Sequence, residues 1–161
     1  MLGEVAGALT GRGVRWALTG SAAAALLGAT RPPRDLDLEV AVADMAEAAE
    51  ALGMQFVLQD DGVIAGHRAV AVRGGVEVDI SAGVTVTGMH GRLTPDDGAL
   101  TTAARTVMVD GVPIPCRAPE ESLARALVAG DWARVAKIAA RGGPPPRAGY
   151  LASRLASIAR R

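Results

Sequence analysis

The amino-acid sequence predicts an α/β (α+β) fold on three observations. Helix-like and strand-like stretches alternate over the first 116 residues, two tight hairpin signals sit among them, and the periodicity turns helical from Pro119 onward. The same change of pattern divides the chain into a core over residues 1–116 and a short C-terminal helical extension over 117–161, packed as one compact unit. With 161 residues the chain is long enough to bury a core, and with half of them apolar but only two Trp, one Tyr and one Phe, that core is built from Ala, Val, Leu and Ile.

Taken in order, Leu2, Val5, Ala6 and Leu9 fall at helical spacing, and Gly11 and Gly13 end that helix before an apolar strand over 14–19. Gly20-Ser21 breaks the strand ahead of the Ala-rich run 22–27, which favours helix. Gly28 closes this helix, and Arg31-Pro32-Pro33 forces an extended entry into Asp35-Leu36-Asp37-Leu38-Glu39-Val40. An amphipathic helix over 43–52 and a short strand over 55–59 follow, the latter stopped by Asp60-Asp61-Gly62. His67 to Arg73, Gly74-Gly75 and Val76 to Ile80 read as a two-residue hairpin. Residues 83–104, punctuated by Gly88, Gly91, Pro95 and Gly98, read as a loop with one helical turn. Asp110-Gly111 makes a second hairpin between 106–109 and 112–115, whose prolines predict an edge strand for the later arm. Three helices complete the chain: one from Pro119 to Gly130 with Leu123, Leu127 and Val128 inward, one over 131–140, and a basic one over 149–160.

Two stretches carry chemistry. The strand-to-helix turn at Gly20-Ser21 presents free backbone N–H groups and the positive end of a helix dipole, which suits a phosphate. In the strand that follows, residues two apart share a face, so Leu36, Leu38 and Val40 point to the core while Asp35, Asp37 and Glu39 point the other way. The same alternation places Glu77, Asp79 and Ser81 opposite Val76, Val78 and Ile80. Side-by-side carboxylates repel, so the pattern calls for a cation or for solvent; a solvated edge strand with an acidic outer face is the plain alternative. His90 reads as a candidate base or a solvated loop residue, and Lys137 stands out as the single lysine beside 16 arginines.

Composition narrows the field. One cysteine, Cys116, excludes an internal disulfide, and no Cys/His spacing suits structural zinc. No leader pattern or membrane-length apolar stretch is present, which predicts a cytoplasmic protein with no membrane role. The net charge of zero conceals a split, with 14 acids and 8 bases over residues 1–116 and 3 acids and 9 bases over 117–161. Such a split fits a divalent metal on one side and a polyanion on the other, or two surfaces that attract each other.

The Gly20-Ser21-Ala22-Ala23 turn followed by Arg31-Pro32-Pro33-Arg34-Asp35-Leu36-Asp37 resembles the core of the polymerase-beta-like nucleotidyltransferase superfamily, most closely its small bacterial branch of AbiEii and MenT toxins. Pro33 stands where that branch usually has Thr. The resemblance implies a small mixed β-sheet flanked by helices, with Asp35, Asp37 and Asp79 as the catalytic and metal-holding carboxylates for Mg²⁺ or Mn²⁺. Gly20, Ser21, Arg31, Arg34 and Lys137 become nucleotide-binding. It further implies transfer of a nucleoside monophosphate from a nucleoside triphosphate to a hydroxyl, with a tRNA 3′ end as acceptor and an antitoxin protein as partner. Pro119-Glu120-Glu121-Ser122-Leu123 and Ala129-Gly130 fit the branch's tail, whereas its Lys, Arg and Asp positions fall on Ala126, Asp131 and Arg134. A binding module that has lost turnover, and a nucleotidyltransferase acting on a small molecule, are the alternatives.

Overall fold

The computed structural model describes residues 1–158; Arg160, assigned above to the last helix, lies outside them. Strand β1 (Trp16–Leu18) follows helix α1 (Leu2–Gly11) and leads into α2 (Gly20–Leu26), β2 (Leu36–Val40), a single 3-10 turn (Val42–Asp44) and α3 (Met45–Ala51). Then come β3 (Val57–Asp60), β4 (Ile64–Arg73), β5 (Val76–Gly88), β6 (Gly91–Leu93), α4 (Asp97–Thr102), β7 (Arg105–Val109) and β8 (Val112–Cys116). Helices α5 (Pro119–Ala129), α6 (Trp132–Ala139) and α7 (Ala148–Ala156) close the described chain. The strands form one sheet in the order β3-β4-β5-β2-β1-β8-β7, with β6 paired to the far end of β5. It is mixed: β2 runs parallel to β5 and β1 parallel to β8, while the other pairs are antiparallel.

One face of the sheet packs Leu38, Val40, Val78, Ile80 and Ala82 against Val5 and Leu9 of α1 and Met45 and Ala48 of α3, all of them buried. On the other face, Val86 and Leu93 meet Ala124 and Val128 of α5, with Leu151 and Leu155 of α7 behind. The C-terminal helices therefore lie over the face that carries Asp37 and Asp79.

Several expectations are corrected. Gly20 and Ser21 lie within α2, whose first residue is Gly20, and Asp35 precedes β2 by one residue. Residues 83–104 contain six further residues of β5, all of β6, and α4, capped where the Asp96 side chain accepts from Ala99 N at 2.9 Å. Gly88, one of the glycines that suggested a loop, serves packing, since a Cβ there would lie 2.7 Å from Ala129 Cα and block the seating of α5. β8 is an interior strand and β7 is the edge. Its prolines are tolerated because β8 meets β1 only at Leu18 and Cys116, so neither Pro113 nor Pro115 owes β1 a hydrogen bond. α5 buries Glu120, Glu121, Ala124, Ala126 and Val128, with Leu123 and Leu127 only half-buried, and α6 buries none of its residues.

The buried acids explain the charge split. Glu39, placed above on an acidic outer face, is 3 % exposed beneath α5, where Arg125 donates to it at 2.7 Å and Arg117 lies 3.1 Å away. Glu121 accepts from Tyr150 at 2.6 Å and from Arg154, and Glu120 accepts from the Arg147 guanidinium at 3.2 Å. Burial pushes the Glu121 carboxyl up, but Arg154, Tyr150 and Arg117 more than offset it and hold it below the usual range. Arg117 sits between Glu39 and Glu121 by charge alone, for none of its side-chain nitrogens makes an aligned hydrogen bond. Four bases of the extension, Arg117, Arg125, Arg147 and Arg154, are thus committed to acids that it covers.

Candidate active site

Where β1 gives way to α2 the backbone is drawn onto β2: Thr19 N donates to Asp37 O at 2.8 Å. Gly20 follows with φ +63, and a Cβ there would overlap Asp37 Oδ2 and stand 2.7 Å from Cγ. Both conformation and space therefore require glycine. Ser21 Oγ donates to Asp35 Oδ1 at 3.0 Å. On the neighbouring parallel strand Asp79 stands in direct register with Asp37, so period-two alternation brings the two carboxylates side by side on one face.

Their electrostatics are unbalanced. Burial pushes the Asp37 carboxyl up to about 6, Asp35 and Asp79 push the same way, and Arg134 and the Ser21 N–H pull back. Asp79 is tied instead to Arg68, whose Nε and Nη2 reach its Oδ2 at 2.9 and 2.6 Å. Among the described residues no three His, Cys, Asp or Glu side chains converge as a metal-holding group. The donor set still suits a hard divalent cation, because oxygen ligands crowded against their own repulsion are what Mg²⁺ or Mn²⁺ relieves. Asp35 and Asp37 could hold such an ion, whereas Asp79 Oδ2 is engaged by Arg68.

Two cavities meet at Asp37 and Gly20. A cavity of about 290 Å³ is lined by Ser21, Asp35, Arg31, Arg34 and Lys137, so all the nucleotide-binding candidates share it. Arg134 and Arg141 join them, and among the described residues none of these five cations is ion-paired. Sequence reasoning missed these two, although Arg134 and Lys137 at i and i+3 share one face of α6 and Arg141 lies just past its end. The second space is a cleft of about 600 Å³ that runs from Asp37 and Asp79 between the β3–β4 hairpin and α5. His67 lines it, whereas His90 sits exposed in the β5–β6 turn and Glu77 is exposed outside it.

No protein-family model matches the chain, and no curated protein matches its sequence. Among solved structures it is similar to an inferred nucleotidyltransferase from Thermotoga maritima, with a TM-score of 0.71 at 20% identity, covering 86% of this chain and 88% of that one. It is also similar to the antibiotic-resistance factor ANT(2'')-Ia. The complex of that protein with adenylyl-2''-tobramycin gives a TM-score of 0.57 at 15% identity over 97% of this chain and 93% of that one. Its solution structure gives 0.55 at 18% identity over 85% and 77%. The mixed sheet and its flanking helices are therefore the nucleotidyltransferase fold.

Proposed function

We propose that this chain is a metal-dependent nucleotidyltransferase that moves a nucleoside monophosphate from a nucleoside triphosphate to an acceptor hydroxyl. What carries the reading is the position of Asp35, Asp37 and Asp79 at the junction of an unpaired basic cavity and an open cleft. A triphosphate needs cations at its distal end and carboxylates able to hold a metal at its reacting end, and the basic cavity and the aspartates offer these in that order.

In this reading Arg31, Arg34, Arg134, Lys137 and Arg141 draw the β- and γ-phosphates into the basic cavity, and the Ser21 N–H and hydroxyl lie at its mouth. Asp35 and Asp37 would hold Mg²⁺ or Mn²⁺, which when bound supplies charge to the α-phosphate and lowers the pKa of the attacking hydroxyl. Gly20 keeps the backbone clear of Asp37 so that its carboxylate faces the cleft. The acceptor oxygen forms a bond to the α-phosphorus as the bridging bond to pyrophosphate breaks. Pyrophosphate leaves with that electron pair into the basic cavity, and the hydroxyl proton passes to Asp79 at Oδ1, the oxygen that Arg68 does not engage.

For the acceptor we favour a small-molecule hydroxyl over the tRNA 3′ end, and with it over the toxin and antitoxin roles that the AbiEii and MenT resemblance implies. The supporting observation is that Arg147 and Arg154, two basic residues of the last described segment that could otherwise meet RNA phosphates, are committed to Glu120 and Glu121. The likeness to ANT(2'')-Ia, solved with adenylyl-2''-tobramycin, supports AMP as the transferred group. The cytoplasm, where nucleoside triphosphates and Mg²⁺ abound, is the expected place of action.

The test is transfer of label from each α-labelled nucleoside triphosphate, with Mg²⁺ or Mn²⁺, to a pool of hydroxylated metabolites and separately to bulk tRNA. Label should enter the small-molecule fraction, and Asp37→Ala should abolish it, a loss of at least about a hundredfold. Label in tRNA would restore the toxin reading. Binding of triphosphate with no transfer to either would leave the non-catalytic module.

A further inference from the structure

Displacement in line at phosphorus puts the entering oxygen and the leaving pyrophosphate on opposite sides of the α-phosphate. The basic cavity beyond Ser21 fixes the leaving side. The entering side is then the other wing of the cleft, past Asp79, between the β3–β4 hairpin and the end of α5. That wing is walled by Val63, Ile64, Val86 and Ala129, with Gln59 and His67 as polar groups among them. Val63 and Ile64 remain 46% and 40% exposed although they line a concave surface, and Phe56, also exposed, stands edge-on to His67 with ring centroids 5.7 Å apart. Apolar side chains left open inside a cleft mark a place that a ligand covers.

The charges of the wing decide the class of that ligand. Of the three arginines that line the cleft, Arg134 lies at its Asp37 end and is shared with the basic cavity. The two beside the wing are committed, Arg68 to Asp79 and Arg125 to Glu39, so among the described residues no unpaired cation past Asp79 awaits a phosphate backbone. Its one further acid, Asp131, caps α6 by accepting from Arg134 N at 2.9 Å, so no acidic cluster awaits a polycation. From this we infer that the wing between the β3–β4 hairpin and α5 is the acceptor site, and that it takes an uncharged small molecule with an apolar body and a hydroxyl. The apolar body lies on Val63, Ile64 and Val86, and His67 and Gln59 hydrogen-bond its polar edge. The identification as acceptor site rests on the nucleotidyl-transfer reading; the ligand class rests on the walls.

The test uses the full chain with labelled methyl groups and n-octyl β-D-glucoside, below its micellar concentration, as an uncharged hydroxylated probe. Methyl resonances of Val63, Ile64 and Val86 should shift with the glucoside, and spermine and bulk tRNA should leave them in place. Ile64→Asp should weaken glucoside binding on the order of tenfold or more, because the probe's alkyl chain would then meet a charge. Ile138 and Ala24, at the basic cavity, should still respond to Mg²⁺ and ATP in that variant. Val63→Asp serves as a second variant at an equally open position. Absent or scattered glucoside shifts, shifts that persist in both variants, or stronger shifts at these methyls with spermine or tRNA would overturn the inference. Glucoside shifts at these methyls with no label transfer from any triphosphate would refute nucleotidyl transfer and keep the pocket with its ligand class.

Discussion

Asp37→Asn should stabilise the protein, by an amount that grows between about pH 4 and 6 and is full above about pH 6. In the folded chain the Asp37 carboxyl titrates near 6 against an ordinary 3.8, chiefly because it is buried and secondly because Asp35 and Asp79 lie close. Between those two values the folded state binds more proton than the unfolded one. Stability therefore falls as pH climbs through that window, stays low above about 6, and recovers fully below about 3.8. A displacement of roughly two pH units corresponds to ~3 kcal/mol, which solvent at this half-buried carboxylate reduces to about 1–2 kcal/mol. Asn keeps the shape and an acceptor for the Ser21 N–H but has no charge to bury. In urea titrations at a series of pH values, the variant should be more stable by about 1–2 kcal/mol near neutrality, with the gap closing toward about pH 4. Mg²⁺ should narrow the gap at neutral pH by stabilising only the carboxylate form. A variant less stable than the parent near neutrality, or a gap that ignores pH, would mean that Asp37 is not held against its own electrostatics.

Gly20→Ala should cost about 1–3 kcal/mol by thermal or chemical denaturation and remove transfer activity, since its Cβ and the Asp37 carboxylate claim the same space. Arg154→Ala should cost about 3–5 kcal/mol in urea by leaving Glu121 buried with less than its full countercharge, and should leave the salt dependence of any tRNA binding unchanged; a flattened dependence would return this arginine to an RNA surface. Arg68→Gln should tighten Mg²⁺ binding by calorimetry on the order of tenfold, because Asp79 is then free to turn to the metal. Lys137→Glu should weaken binding of ATP with Mg²⁺ by about two- to fivefold, with the difference fading at high salt.

Period-two alternation was enough to place Asp37 and Asp79 on one face, because side-chain direction in a strand is local, and their pairing across β2 and β5 follows from both core faces being buried. Glu39 obeys the same alternation, yet its environment was not legible. Whether an outward strand position meets water or a helix depends on where α5 lands, and α5 is about eighty residues away in the chain. Residues 83–104 misled for a related reason. Glycine reads locally as a break, whereas Gly88 is small to let α5 approach. The arginines of the extension carried a sign but no address. Arg134 and Arg141 reached the basic cavity, Arg154 the interior, and Arg147 an exposed position from which it reaches buried Glu120.

The strand that bears Asp37 also bears Glu39, one pleat further on, and this has a consequence for how the protein is made. Among the described residues Glu39 pairs only with Arg117 and Arg125, the latter 86 residues later, and Arg117 is braced through Glu121 by Arg154 near the end of the described chain. While the protein is still emerging from the ribosome, β2 can pair with its neighbours but carries a carboxylate whose partners have not been synthesised. The sheet cannot close over that charge until α5 arrives. The acidic end of the site thus matures with the last third of the chain, and a nascent or truncated product presents Asp37 on a strand that is not yet anchored.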